Sequence, residues 1–200
     1  MTRNETIDSA KIKRPKYVFF FIGDGMGPVQ YQLTSNYLYR ISDPEVIYLR
    51  PQKMLNFMYF PTVATVMTPD STSFVPDSAS TATAMSSGEK THTMSVNTDE
   101  VGDRKYRPLS YDLHDLGYRL GVVTTAFMND ATPASFYSQH YDRYDRYPIA
   151  SQMSLNGVDV YAGGGIMEPD DPKGIGEDSW ELLKQAGYTI VNTRKDALKL

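Results

Sequence analysis

Residues 17–27 read Y-V-F-F-F-I-G-D-G-M-G, and this stretch decides the fold. A continuous run of aromatic and branched residues, with no polar alternation, is the pattern of a strand covered on both faces, as strands of a parallel sheet are. The run stops at glycines, and from Gln30 to Tyr39 the pattern becomes helical. Strand, tight turn and helix open an α/β unit. Asp24 then stands in the loop at the carboxyl end of the strand, where open α/β sheets place their ligands.

The pattern recurs downstream. R-L-G-V-V-T-T-A-F, Arg119 to Phe127, reads as a second buried strand. It runs out into N-D-A-T-P-A and a possible helix, so Asp130 and Thr132 sit where Asp24 sits. V-D-V-Y-A-G-G-G-I, Val158 to Ile166, reads as a third strand ending in glycines. Between the first two, residues 56–68 take on alternating strand character after a connecting segment over residues 43–54. Residues 86–107 are polar and read as a surface loop, and Leu109 to Leu116 as a weak helix. The duplication Y-D-R-Y-D-R-Y, Tyr141 to Tyr147, reads as a solvated turn. An acidic loop over residues 168–178, a helix over residues 179–185, a short strand over residues 188–191 and a helical stub complete the chain. Strands alternating with helices predict an α/β fold with a largely parallel sheet.

The chain of 200 residues suffices for one domain. A 40% hydrophobic and 22% charged composition is that of a globular protein. A net charge of -4 without a basic run argues against binding a nucleic-acid backbone, which relies on clustered Lys and Arg, but leaves a local site for a small anion open. With no Cys, neither disulfides nor a Cys zinc site can form, and any metal must use oxygen ligands or one of three His. Residues 1–16 form a polar arm with no apolar core of the secretory-signal kind. The longest apolar run, Tyr17 to Ile22, is far shorter than the roughly 20 residues that cross a bilayer.

V-P-D-S-A-S-T-A-T-A, residues 75–84, carries the chemistry. It places Ser78 after an acid and before small helix-compatible residues, at a helix start. The first N–H groups of a helix lack intrahelical partners and its dipole is positive there, so phosphate is stabilised beside the Ser78 hydroxyl. From these residues alone, an Asp-capped helix without chemistry stands beside that reading. Other motifs fit poorly. The third glycine of a dinucleotide fingerprint would fall on Pro28, and Asp24 would repel the phosphates unless a cation intervened, which favours Asp24 as a metal ligand. Residues 87–91 lack the upstream glycine of a Walker loop. Pro76 to Ser80 does not form the Ser elbow of α/β-hydrolases. His92, His114 and His140 lack zinc-type spacing and read as loop or surface residues.

Taken together, F-I-G-D-G-M-G after a strand, V-P-D-S-A-S-T-A-T-A, and D-A-T-P-A with an Arg thirteen residues after its Asp resemble the amino-terminal part of the alkaline phosphatase family. The resemblance implies an alkaline-phosphatase-like three-layer α/β sandwich, with a largely parallel central sheet flanked by helices and here incomplete. Residues 17–200 are then the first part of one domain. It implies hydrolysis of phosphate monoesters through a covalent phosphoserine, with two zinc ions and one magnesium. Ser78 falls on the nucleophile, Asp77 on the acid before it and Arg143 on the arginine that grips phosphate. Asp24 falls on a carboxylate shared by zinc and magnesium, Thr132 on a magnesium ligand and Asp130 on a residue that holds magnesium-bound water. Asp24, Asp130 and Thr132 should therefore converge. Arg143, rather than Arg146, should meet the phosphate, and loss of Arg146 should be near neutral.

The family's remaining metal ligands are expected beyond Leu200, so the 200 residues alone should show little activity. A Ser hydroxyl is a weak nucleophile that needs a base or a metal, and with no His placed for Ser78, zinc is the expected activator. The resemblance also implies a periplasmic or extracellular location and allows a homodimer. Two alternatives are a non-catalytic anion- or nucleotide-binding α/β domain and a related metal-dependent phosphodiesterase or sulfatase-like hydrolase.

Overall fold

A computed structural model describes residues 15–42, 45 and 54–200. Most of the polar arm and nearly all of the connecting segment over residues 43–54 lie outside the described residues. The chain forms two compact units, Met1–Tyr59 and Phe60–Leu200.

The first unit is organised by helix α1, Pro28–Ser42. The sequence specifies its start. Gly23 to Met26 closes a turn (Met26 N–H to Gly23 O, 3.1 Å), with Gly25 at φ +64°, a value glycine adopts without steric cost. Pro28 then occupies the first helical position, where its missing N–H costs nothing, and the Gln30 side chain accepts from the Gly27 N–H at 2.9 Å. A 3-10 turn, Asn56–Tyr59, follows, and the Phe57 ring meets Tyr31 edge-on at 6.2 Å. The expected strand over residues 17–22 is not formed: the run carries no strand and is exposed, Phe19 to 78% and Phe21 to 82%. An apolar run becomes a buried strand only when other strands pair along its edges, and the described residues of this unit provide a helix and a 3-10 turn.

The second unit contains the sheet. Strands β1, Gly121–Val123, and β2, Val160–Ala162, pair in parallel with Gly121 opposite Val160. Pairing continues past both (Thr124 N–H to Ala162 O, 2.9 Å; Met128 N–H to Gly165 O, 2.8 Å). The second and third expected strands are thus present as one paired ribbon, with a regular core shorter than the apolar runs. The close approach uses glycine: a Cβ on Gly163 would lie 2.8 Å from Met128 and Thr124 side-chain carbons. Of the strand expected over residues 56–68, residues 56–59 form the 3-10 turn and residues 60–68 form no strand, with Val63, Val66 and Met67 exposed, so alternation there does not yield the expected element. Residues 188–191 form no strand either, although Tyr188 packs against the core.

Helices carry the rest of this unit: α2 Ser78–Ser87, α3 Leu109–Asp115, α4 Ala131–Ala134, α5 Arg146–Ser151, α6 Ser179–Gln185 and α7 Arg194–Ala197. Helix α6 shows how local sequence sets their ends. Asp178 accepts from the N–H groups of Trp180 and Glu181 at its start. Gly187, at φ +93°, lets Tyr188 N–H close on Leu183 O at 3.0 Å, a Schellman-type stop.

The core joins Ala79, Val96, Met128, Ala131, Ala134, Tyr137, Ile149, Met153, Val158 and Leu183. Tyr137 is fully buried, donates to Met128 O at 2.9 Å and meets Tyr161 edge-on at 5.3 Å. Burial pushes its phenol far above the ordinary range. The polar stretch over residues 86–107 corrects the surface-loop expectation: Thr91 and Ser95 to Thr98 are buried. Asn97, at φ +51°, donates to Ser135 O at 2.6 Å and Ser138 O at 2.9 Å and accepts from Ser86 at 2.9 Å. Polar residues enter a core when their hydrogen bonds are met there, a condition hydropathy alone does not report.

Candidate active site

The site is built at the start of α2. Asp77 is the N-cap: its Oδ1 accepts from Ser80 N–H at 3.0 Å and from the Ser80 hydroxyl at 3.0 Å. The helix therefore begins at Ser78, half-buried at its first position. Ala79 and Ala82 are fully buried behind it, so small side chains let the helix start pack directly on the core. A second acid supports the cap from upstream. Asp70 accepts from the hydroxyls of Ser80 (3.0 Å) and Thr93 (2.7 Å) and from the N–H groups of Thr72 and Ser73. Although burial would raise it, these bonds bring Asp70 from an ordinary 3.8 to about 2.

Arg143 arrives 65 residues later and closes the site. Its Nη1 donates to Asp77 Oδ2 at 2.9 Å and to Ser78 Oγ at 2.8 Å, and its Nη2 donates to Asp130 Oδ1 at 3.1 Å. The Arg143 side chain is 14% exposed and that of Asp77 is 18% exposed. Burial opposes charge on all three groups, but the mutual bonds prevail. The Asp77 carboxyl is held below its usual range by Ser80 N–H and Arg143, Asp130 below its own by Ala131 N–H and the two arginines, and Arg143 is raised by both carboxylates. Arg143 Nε is buried without a hydrogen-bond partner among the described residues. The loop that holds the arginine is tied back to the cap: Met94, at φ +82°, accepts the Arg143 N–H at 2.9 Å, and its own N–H helps lower Asp77.

Asp130 is the N-cap of α4, accepting from Ala131 N–H at 2.9 Å. Thr132 follows in the first turn of that helix, partly buried. Ser78, Asp77, Arg143 and Asp130 are thus brought together by direct bonds. Asp24 lies in the first unit, in the turn ahead of α1.

Sequence reasoning missed three supports. Arg146 is not in a solvated turn: it is 8% exposed, opens α5, and donates to Asp130 Oδ1 at 3.1 Å and to Asn129 O at 3.4 Å. The solvated-turn reading is corrected at this residue, because removing one partner of a buried ion pair leaves the other charge uncompensated. Asn129 exchanges bonds with the backbone of Met167 (Nδ2 to O, 2.8 Å; N–H to Oδ1, 2.9 Å), anchoring the acid loop to the chain beyond β2. Asp70 is the third. The signal for Arg146 was the Y-D-R duplication, which sets two guanidinium groups three positions apart.

Metal chemistry divides by type. Among the described residues no group of three His, Cys, Asp or Glu could hold an ion, so these residues do not make a zinc cage. Asp24, Asp130 and Thr132 carry hard oxygens, the donors that suit magnesium.

A family model described as alkaline phosphatase matches residues 15–199. Alkaline phosphatase 3 of Bacillus subtilis is 35% identical over 192 residues, covering 92% of this chain and 39% of that protein. The alkaline phosphatase of Schizosaccharomyces pombe is 29% identical over 196 residues, covering 92% of this chain and 35% of that protein. This chain therefore spans about two fifths or less of the length of these curated relatives. Among solved structures, a TAB5 alkaline phosphatase variant with magnesium bound, from an Antarctic bacterium, superposes with a TM-score of 0.69 at 28% identity, over 85% of this chain and 45% of that one. The α/β fold expected from the sequence is the fold of these neighbours.

Proposed function

The chain belongs to the alkaline phosphatase family, and on that premise we propose that it serves the hydrolysis of phosphate monoesters through a phosphoserine at Ser78, releasing inorganic phosphate. The observation that carries the reading is the Arg143 bond to Ser78 Oγ at 2.8 Å, made by a guanidinium that Asp77 and Asp130 already hold. A phosphoryl group on Ser78 would meet the fork of Arg143, whose planar donors suit two phosphate oxygens, and the positive start of a ten-residue helix. Asp77 fixes both groups at once: it caps the helix that presents Ser78 and turns Arg143 toward it. The guanidinium beside Ser78 favours the alkoxide over the hydroxyl, which assists attack on phosphorus.

Zinc and magnesium, as the family resemblance implies, would supply electrophilic stabilisation of the attacking and leaving oxygens. In this reading Asp24 and Thr132 are ligands and Asp130 holds metal-bound water, all in one α/β domain from residue 17 onward. Catalytic zinc usually takes three protein ligands, and only Asp24 and Thr132 are direct ligand candidates in this reading, so residues 1–200 by themselves should turn over little. A periplasmic or extracellular setting and a homodimer belong to the same reading. No described helix is long and apolar enough to cross a membrane.

The test is an acid quench of the full natural protein during turnover of an aryl phosphate, followed by mass spectrometry. Phosphate on Ser78, absent in Ser78→Ala together with turnover, is the expected result. Phosphate on another residue, or full activity in Ser78→Ala, rejects the assignment.

A further inference from the structure

The Y-D-R duplication delivers two arginines to one oxygen. Asp130 Oδ1 accepts from Arg143 Nη2 at 3.1 Å and from Arg146 Nη1 at 3.1 Å. Both guanidinium groups also lie over the Tyr144 ring, at 5.7 and 5.4 Å. Their surroundings differ. Arg143 also reaches Asp77 and Ser78, whereas Arg146 is buried and its guanidinium also donates to the Asn129 carbonyl. The carboxylate ion-paired with Arg146 is that of Asp130.

Charge balance gives this arrangement a consequence. Asp77 and Asp130 bring two negative charges to Arg143. With Arg146 the group of four is neutral. Without it the cluster carries one net negative charge, and Arg143 is drawn onto two carboxylates that a phosphate dianion must outcompete in a partly desolvated site, where charges interact more strongly than in water.

We infer that Arg146 is a positioning residue of the phosphate site: by engaging Asp130 it offsets that carboxylate's charge, fixes the side of Arg143 remote from Ser78, and leaves Arg143 positive toward a phosphoryl group. The inference rests on the reading of Arg143 as the phosphate arginine. Arg146 itself touches no reacting atom in this account.

The experiment measures competitive inhibition of aryl phosphate turnover by inorganic phosphate, in the full natural protein, at fixed ionic strength. Arg146→Met keeps an unbranched side chain and removes the charge; its inhibition constant and KM should each rise about tenfold or more. Arg146→Lys restores charge without the fork and should stay within about threefold of wild type. Arg146→His decides the matter even if the Met variant does not fold, because its charge changes across the accessible pH range. The ratio of its inhibition constant to that of wild type should climb from near one at about pH 6 to several-fold at about pH 9, the ionisation of phosphate cancelling in the ratio. A role confined to stability would lower the melting temperature of these variants yet leave the inhibition constants unchanged and the His ratio flat, and either result overturns the inference. Wild type without phosphate competition, or Arg143→Ala with unchanged competition, removes the underlying reading as well. Normal behaviour in those two controls with a flat Arg146 series removes the inference alone.

Discussion

Asp77 performs two separable tasks, and substituting it two ways should divide them. Asp77→Asn keeps a side-chain oxygen for the Ser80 N–H, since Asn is as good an N-cap as Asp, but removes the charge opposite Arg143. Losing one charge-assisted hydrogen bond costs about 1.5–3 kcal/mol. Because Arg143 keeps Asp130 and the Asp77 side chain is 18% exposed, the lower end of that range is expected. Asp77→Ala removes the cap as well, for a further ~1 kcal/mol, so the pair should separate by about that amount. Equilibrium urea unfolding at pH 7 measures both, with unchanged m-values as the sign that only stability has moved. The pH dependence supplies a second check. The carboxyl of Asp77 is depressed in the folded state, so its contribution is full above the unfolded value and fades as pH falls through the folded one. The gap between wild type and Asp77→Asn should close below about pH 4. Equal losses for Asn and Ala would show that the cap contributes nothing. Losses under about 0.5 kcal/mol for both would refute the Asp77–Arg143 pairing.

Other outcomes follow from the same bonds. Arg143→Ala should weaken competition by inorganic phosphate roughly ten- to a hundredfold, as expected for one lost bidentate contact; an unchanged inhibition constant would remove Arg143 from the phosphate site. Asp70→Asn should destabilise by about 1 kcal/mol at neutral pH after allowance for solvent screening. Since Asp70 falls from 3.8 to about 2 on folding, that loss should shrink between about pH 5 and pH 2 in an acid-unfolding series, and a pH-independent difference would contradict the assignment. Asn97→Ala should cost about 3 kcal/mol or more, because it strands Ser135 and Ser138 carbonyls in the core and forces a Cβ-bearing residue other than Asn into a left-handed φ. A thermal-melt shift of only a degree or two would show that water replaces those bonds.

The elements legible in the sequence were those specified by neighbours along the chain. Helix α1 was legible in the helical pattern of residues 30–39, α2 in Asp77 and its small residues, and α6 over residues 179–185, because a helix is satisfied by groups within a few positions. The joined motifs at Asp24, Ser78 and Asp130 were legible for the same reason, and they pointed to the family that the comparisons then showed. Strands were less legible. The runs at residues 17–22 and 56–68 have strand character without forming strands, because a strand's hydrogen bonds go to residues remote in sequence and its pattern says nothing of whether they arrive. What the tertiary structure alone decided was the pairing of charges: Arg143 with Asp77, 66 residues away, and Arg146 on the same carboxylate oxygen as Arg143. In the sequence those two arginines are near-identical Y-D-R units. In the fold, long-range packing buries one against the Asn129 carbonyl and sets the other beside Ser78, and burial makes the difference matter, since a charge removed from water must find its partner in the protein.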